Sequence, residues 1–362
     1  MSKKFTAILV LCLWAALTAL NWFSPAKEMS DAERRPLAQF PAVSVENIAN
    51  GKFMTGFTDY SLDQFPLRDS FRQVKSLFHY YVLGQKDNNG IYIVDGNAVK
   101  QEYPLNQASV TRALERFAYV YQKYLQNANV YMTIVPDKGY YLAEEAGQLA
   151  MDYEAMFEAF RQGMPWASHI DLTECLSGED YYRTDTHWRQ ENLLGVAGAL
   201  CEALDVTAPK MEDYTVTELE RPFYGVYYGQ AALPMEPDTI RLLESKLLSD
   251  CQVYDYESGK TTSVYDLGKL DSKDLYEVYL SGARSLMTIE NPNASTDREL
   301  ILFRDSFGSS IAPLLVQGYA KVTLVDIRYI HPDMLGKFLN FDGKDVLFLY
   351  STLVLNNSAT LK

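Results

Sequence analysis

The chain is poor in the residues that most often announce a chemistry. It has four cysteines, at positions 12, 175, 201 and 251, and no two of them stand as a CxxC pair. The usual spacing of a structural zinc site is therefore missing, and no metal is expected. Cys12 lies in an apolar run. The three cysteines beyond it form at most one intramolecular disulfide and leave one thiol over. There is no Walker sequence and no HExxH, and nothing in the pattern asks for a cofactor. No block of Lys and Arg occurs downstream of the N-terminus. The 33 basic residues are outnumbered by 47 acidic ones, for a formal charge of −14. A nucleic-acid partner needs clustered cations and is not expected; the acidity serves solubility. Internal repeats are absent as well.

What is present begins at the N-terminus. Lys3 and Lys4 precede an uncharged run from Phe5 to Phe23. As a helix rising about 1.5 Å per residue, that run spans ~28 Å, close to the hydrocarbon thickness of a bilayer. The flanking lysines place the first residues in the cytoplasm, with Trp22 and Phe23 at the outer interface. Two outcomes stay open: a retained single-pass anchor, favoured by the length of the run, or a signal segment cleaved near Ser24-Pro25-Ala26 to give a secreted protein. Both put the remainder outside the cytoplasm. Residues 1–26 are read as this segment and 27–58 as a juxtamembrane arm. The polar stretch to Pro41, with Pro25 and Pro36, serves as linker.

The remaining chain, 59–362, reads as one α/β domain. Helical patterns cover 70–83, 109–125, 153–162 and 190–204, the second with Val110, Leu114, Phe117, Val120 and Tyr124 on one face. Residues 90–97 read as a strand running into an Asp-Gly turn. Apolar runs of strand length occur at 129–135, 169–172, 299–303, 321–325 and 345–350. Their alternation with helices argues for a parallel sheet with crossover helices. The irregular stretch 206–295 is expected to be an insertion or a lid.

Two segments carry possible chemistry. In Tyr182-Arg183-Thr184-Asp185-Thr186-His187-Trp188, the carboxylate and the imidazole are two residues apart, and an extended backbone sets both on one side. A carboxylate so placed holds an imidazole as a general base. The plainer alternative is that Asp185 caps the helix starting near Arg189 while His187 packs. In Arg304-Asp305-Ser306-Phe307-Gly308, a serine follows an apolar strand at the start of a helix. A nucleophile and backbone oxyanion donors are often found at such a turn, and so is a simple helix cap. His79, His169 and His331 lack an Asp-x-His context and are expected to be structural. Taken together, the two segments supply nucleophile, base and orienting carboxylate.

Thr184-Asp185-Thr186-His187-Trp188 followed by Arg304-Asp305-Ser306-Phe307-Gly308 resembles the DHHW family and its relatives, the SGNH-like alginate O-acetyltransferase proteins of bacterial surfaces. The motif here has Asp-Thr-His-Trp where the family name has Asp-His-His-Trp. The N-terminal apolar helix, Glu33-Arg34-Arg35-Pro36-Leu37-Ala38, Val135-Pro136-Asp137-Lys138 and Val325-Asp326-Ile327-Arg328-Tyr329 agree with the resemblance, which runs from about residue 33 onward. It implies an SGNH-hydrolase-like parallel sheet flanked by helices. It also implies an acyl-enzyme on Ser306, with His187 as base and Asp185 as its orienter. Acetyl would pass to, or be removed from, a hydroxyl of a cell-surface or extracellular polysaccharide. A membrane-bound O-acyltransferase is the implied partner. Arg328, Tyr329, Trp188 and Lys138 are candidate substrate contacts, and Gly282 or Asn291 candidate oxyanion donors. The alternative is a non-catalytic surface protein of the same fold that binds glycan or supports a polysaccharide-modification complex.

Overall fold

The computed structural model describes residues 3–362. The chain forms two compact units. The larger comprises Gly90–Gly225 with Glu236–Lys362; the smaller comprises residues up to Asn89 with Val226–Met235.

The larger unit is built on an eight-stranded sheet. Its strands are β1 (Asn129–Val135), β2 (Ser168–Ile170), β3 (Gln252–Asp255), β4 (Lys260–Thr262), β5 (Leu286–Glu290), β6 (Glu299–Arg304), β7 (Lys321–Val325) and β8 (Asp345–Ser351). They lie in the order β4-β3-β5-β7-β6-β8-β1-β2. The five strands from β7 to β2 run parallel, and β5, β3 and β4 extend that edge antiparallel. The fold is mixed α/β with a large, mostly parallel sheet. Part of the stretch read as an insertion or lid thus completes the sheet instead. Residues 252–262 and 286–290 form three of its strands.

Side chains two apart along a strand divide between the two faces. Leu300, Leu302, Leu347 and Leu349 pack one way, against α4 (Leu194–Ala203) and α5 (Gly308–Leu315). Ile301, Phe303, Val346, Phe348 and Tyr350 pack the other way, against α2 (Gln107–Tyr124) and α3 (Tyr153–Gly163). All seven residues of β8 are buried, as a central parallel strand covered on both faces requires. Two hairpins complete the unit, Ile91–Val94 with Asn97–Lys100 and Thr215–Phe223 with Asp238–Glu244.

Three of the parallel strands are followed within two residues by an aspartate that fastens their carboxyl ends. Asp137, after β1, accepts from Gly139 N at 2.6 Å, Thr352 Oγ1 at 2.7 Å and Tyr153 Oη at 3.0 Å. Asp305, after β6, accepts from the amide and hydroxyl of Ser351 at 2.8 and 2.7 Å, tying β6 to the end of β8. Asp326, after β7, holds Arg328. A buried carboxylate is costly without such donors. The Val-Pro-Asp, Arg-Asp and Val-Asp pairs of the sequence are these fasteners.

The smaller unit begins with α1 (Lys3–Phe23), an apolar helix with none of its membrane-length stretch buried. It is the one helix among the described residues long and apolar enough to cross a membrane. Phe23 is exposed, and the side chain of Trp22, expected at the interface, lies outside the described ones. Order sets in earlier than the proline-containing linker suggested. Arg35 grips Asp63 bidentately at 2.8 and 2.7 Å, and Arg68 and Arg72 reach Glu33. The Arg35 hydrogen bonds hold the Asp63 carboxyl down to about 2. These pairings draw residues 59–89 into this unit. All four cysteines are free.

Candidate active site

The carboxyl edge of the parallel strands is where an open α/β sheet offers a crevice. Ser306 stands there, two residues past the end of β6 and half-buried. Gly308 N and Ser309 N turn back to the carbonyls of Asp305 and Ser306, and Asp305 Oδ1 accepts from Phe307 N at 3.0 Å. The local cap is thus provided by Asp305, which leaves the Ser306 hydroxyl for another partner. These bonds also occupy three of the turn's amides, those of Phe307, Gly308 and Ser309. The Ser306 amide itself donates to no group among the described residues.

That partner is His187. Its Nε2 lies 2.7 Å from Ser306 Oγ, and its Nδ1 lies 2.5 Å from Asp185 Oδ1. An ionised carboxylate only accepts, so Nδ1 carries the proton toward Asp185 and Nε2 accepts the seryl O–H. Asp185 and His187 meet through a tight turn rather than an extended segment. Asp185 Oδ1 also accepts the backbone N–H of His187, at 3.1 Å. The helical turn at Gln190–Asn192 takes no side-chain cap, so Asp185 is not a helix cap.

The loop bearing this pair is anchored at every side. It is closed by the antiparallel bridge between Tyr181 and Trp188 and by Tyr182 N donating to His187 O. Asp238 accepts from the amides of Arg183 and Thr184, both at 2.8 Å, and from Thr184 Oγ1 at 2.5 Å. Lys138, just past β1, donates its ammonium to the carbonyls of Tyr182 and Arg183 at 2.9 and 3.3 Å. Burial pushes the Lys138 ammonium down to about 7, against the pull of Asp185 and Asp238. The ring of Tyr276 stacks on His187, centroids 3.9 Å apart and planes within 7°. Its hydroxyl bonds Ser310 Oγ at 2.8 Å, and burial raises its pKa. Ser310 Oγ also accepts from Trp188 Nε1 at 2.8 Å. Three segments distant in the chain thus meet at one buried hydroxyl.

The other sequence candidates fall in different places. Trp188 is fully buried, and its indole N–H is spent on Phe307 O and Ser310 Oγ; it is a strut, not a substrate contact. Lys138, 2% exposed, is likewise a brace. Arg328 sits past β7 on the correct edge, but its guanidinium is committed bidentately to Asp326 at 2.9 and 2.6 Å; that pairing raises its pKa although burial opposes it. Tyr329 beside it is half exposed, with the Arg328 guanidinium 5.5 Å from its ring centre. Gly282 precedes β5 at the same edge, in a left-handed turn with Glu277 where a Cβ would stand. Asn291 follows β5, which runs antiparallel to β7, so it lies at the opposite edge and donates to Val316 O and Tyr319 O. That excludes it as an oxyanion donor. Asp238, Tyr276 and Ser310 were missed. Only Ser310 carried a signal, since it stands four residues, about one helical turn, beyond Ser306.

Comparison with known proteins follows the same lines. Curated proteins offer no match. Among solved structures, a DHHW family protein from Eubacterium siraeum DSM 15702 is 21% identical, covers 76% of this chain and 95% of its own, and superposes with a TM-score of 0.61. PatB1 of Bacillus cereus is 17% identical over 73% of this chain and 96% of its own, with a TM-score of 0.57. The same protein solved with a sulfonyl adduct gives 0.55 at 17% identity, over 73% and 95%. At these identities the likeness concerns the fold. The family model for DHHW proteins matches residues 73–325, well over half the chain and inclusive of both motif segments. The chain therefore belongs to the DHHW family.

Proposed function

We propose that this protein is an exported serine-dependent acyl-transfer enzyme that moves an acetyl group to, or from, a hydroxyl of a surface polysaccharide. The observation that carries the reading is the continuous line from Asp185 through His187 to Ser306, with both links at hydrogen-bond length.

Ser306 Oγ attacks the carbonyl carbon of an acetyl ester while His187 Nε2 takes the seryl proton. Asp185 stabilises the imidazolium that results. The Ser306 amide, unspent among the described residues, is suited to receive the oxyanion. As the tetrahedral adduct collapses, the donor's alkoxide leaves with the proton from His187, and acetyl remains on Ser306. A sugar hydroxyl then gives its proton to His187 and attacks the acyl-enzyme. The new ester departs as the proton returns to Ser306. Water in place of the sugar gives hydrolysis by the same steps. The buried surroundings of Asp185 and His187, at 0% and 7% exposure, strengthen these charge interactions. A membrane-bound O-acyltransferase is the donor-side partner that the family membership suggests.

The test is acyl-enzyme formation with an activated acetyl ester, read by intact mass on the full chain. An adduct on Ser306 that vanishes in Ser306→Ala and His187→Ala is expected. A folded wild-type protein with no adduct and no ester turnover overturns the proposal in favour of a non-catalytic glycan-binding role.

A further inference from the structure

The smaller unit carries an exposed apolar face that the acyl-transfer chemistry does not use. Residues Arg68–Leu77 form an α-helix that continues through Phe78–Val82 as a wider helical turn. Along this rod Leu67, Phe71, Val74, Phe78 and Tyr81 recur at intervals of four and three, so they share one side. Their exposures are 66%, 50%, 64%, 50% and 68%. On the other side, Arg68 and Arg72 are bound to Glu33, and Ser76 is buried, donating to Ala231 O at 2.9 Å. The polar face is therefore turned inward and the apolar face outward, the reverse of what a surface helix in water shows.

We propose that this apolar face lies in the interfacial layer of the membrane, beside the point where the N-terminal helix leaves it. The inference rests on reading Lys3–Phe23 as membrane-inserted and is independent of the acyl-transfer proposal. Its main support is the tether. The amide of Lys27 donates to Gln64 Oε1 at 2.9 Å, and Gln64 Nε2 donates back to Lys27 O at 2.9 Å. Only the short stretch from Ser24 to Lys27 separates the end of the apolar helix from Gln64, a reach of at most ~14 Å. Leu67, the first residue of the stripe, follows Gln64 by three positions. The face is thus held close to the bilayer surface by the chain itself.

The form of the face also favours lipid over a second copy of the chain. A zipper between helices needs three or four heptads, and this rod supplies about two. The face is also broader than a seam, because Leu62 of the adjoining helix Lys52–Asp63, 67% exposed, lines the same hollow as Phe65 and Phe71. Phenylalanine and tyrosine among aliphatic residues suit the boundary between headgroup and acyl chain.

A photo-crosslinking amino acid, benzoylphenylalanine, placed at Phe71, at Phe78 and at the polar position Gln73 in the full chain tests this directly. Each variant is reconstituted into vesicles of equal parts phosphatidylethanolamine and phosphatidylglycerol, irradiated, and read by mass spectrometry. Lipid adducts at positions 71 and 78, at least about tenfold above position 73, are expected of an interfacially seated face. Chain-to-chain crosslinks at 71 and 78 without lipid adducts would assign the face to a second copy and overturn the proposal. Adducts equal at all three positions would overturn it as well. These outcomes do not depend on ester turnover, which the same preparations report separately.

Discussion

Gly225 offers the sharpest test of how tightly the base loop is held. A Cβ built on it stands 2.3 Å from Asp185 Cβ, 2.4 Å from Asp185 Cα and 2.4 Å from the Thr184 carbonyl oxygen. Ordinary contact begins at 3.4 Å, so Gly225→Ala requires a movement of 3.4 − 2.3 = 1.1 Å between the two segments. The strain has no soft outlet. Asp238 pins the amides on one side of the loop, and Gly225 N itself donates to Thr184 Oγ1 at 2.9 Å. Overpacking of this kind costs about 1–3 kcal/mol of stability. If Asp185 orients His187 as proposed, its displacement by ~1 Å costs on the order of a hundredfold in rate, about 2.7 kcal/mol of barrier. The assay is turnover of an activated acetyl ester beside thermal unfolding, with Gly195→Ala as control. Gly195 lies in α4 with nothing within 4 Å of its added Cβ, so alanine there should stabilise the helix by about 0.5–1 kcal/mol and leave turnover alone. A Gly225→Ala protein with wild-type turnover and an unchanged melting temperature would refute the claim that this loop is rigidly placed.

Other outcomes follow from the same geometry. Asp185→Asn keeps the shape but lets Nδ1 be met by an amide donor, favouring the wrong tautomer; ester turnover should fall on the order of 10³–10⁴-fold with the fold intact, and a loss under tenfold would count against the orienting role. Ser310→Ala leaves the buried Tyr276 hydroxyl without its partner and the Trp188 N–H with Phe307 O alone, so urea unfolding should show a loss of about 1–3 kcal/mol, and none at all would mean water replaces the hydroxyl freely. Lys138 holds its proton less tightly when folded, near 7, than when unfolded, so between those values the unfolded chain binds more protons and stability rises with pH. Lys138→Met should flatten that rise between about pH 7 and 9 in parallel denaturation series, while weakening the loop by about 1–3 kcal/mol through the loss of the Lys138 bond to Tyr182 O, Arg183 O keeping the Ala98 amide. Identical pH slopes in the two proteins would contradict the assignment.

The parts of this molecule legible in its sequence are those whose cause is local. β1, β6, β7 and β8 are covered on both faces and so read as unbroken apolar runs, and their ends fall within a residue of where the run stops. Asp185 and His187 are neighbours in the chain, so their pairing needed only a turn. The antiparallel edge was hidden for a physical reason: β3 and β4 are short, partly exposed and interrupted, so their patterns resemble loop. Asp238 and Tyr276 reach the loop from separate segments. One is an acid among many and the other one of 26 tyrosines, and nothing near either in the chain marks it. Within the family motif Asp185, His187 and Trp188 make the bonds described above, and Thr186 stands where the family name has histidine.

The hydroxyl of Ser310 has a consequence for when the proposed chemistry can begin. It joins Trp188, which follows His187, the Tyr276 ring stacked on His187 and the helix behind Ser306, the first two contributed by residues 122 and 34 positions away. No early folding event that relies on neighbours in sequence brings those three together; they converge only once the sheet has closed around them. An incompletely folded copy therefore carries a serine, a histidine and an aspartate with no line between them, and the proposed acyl transfer has no place to start.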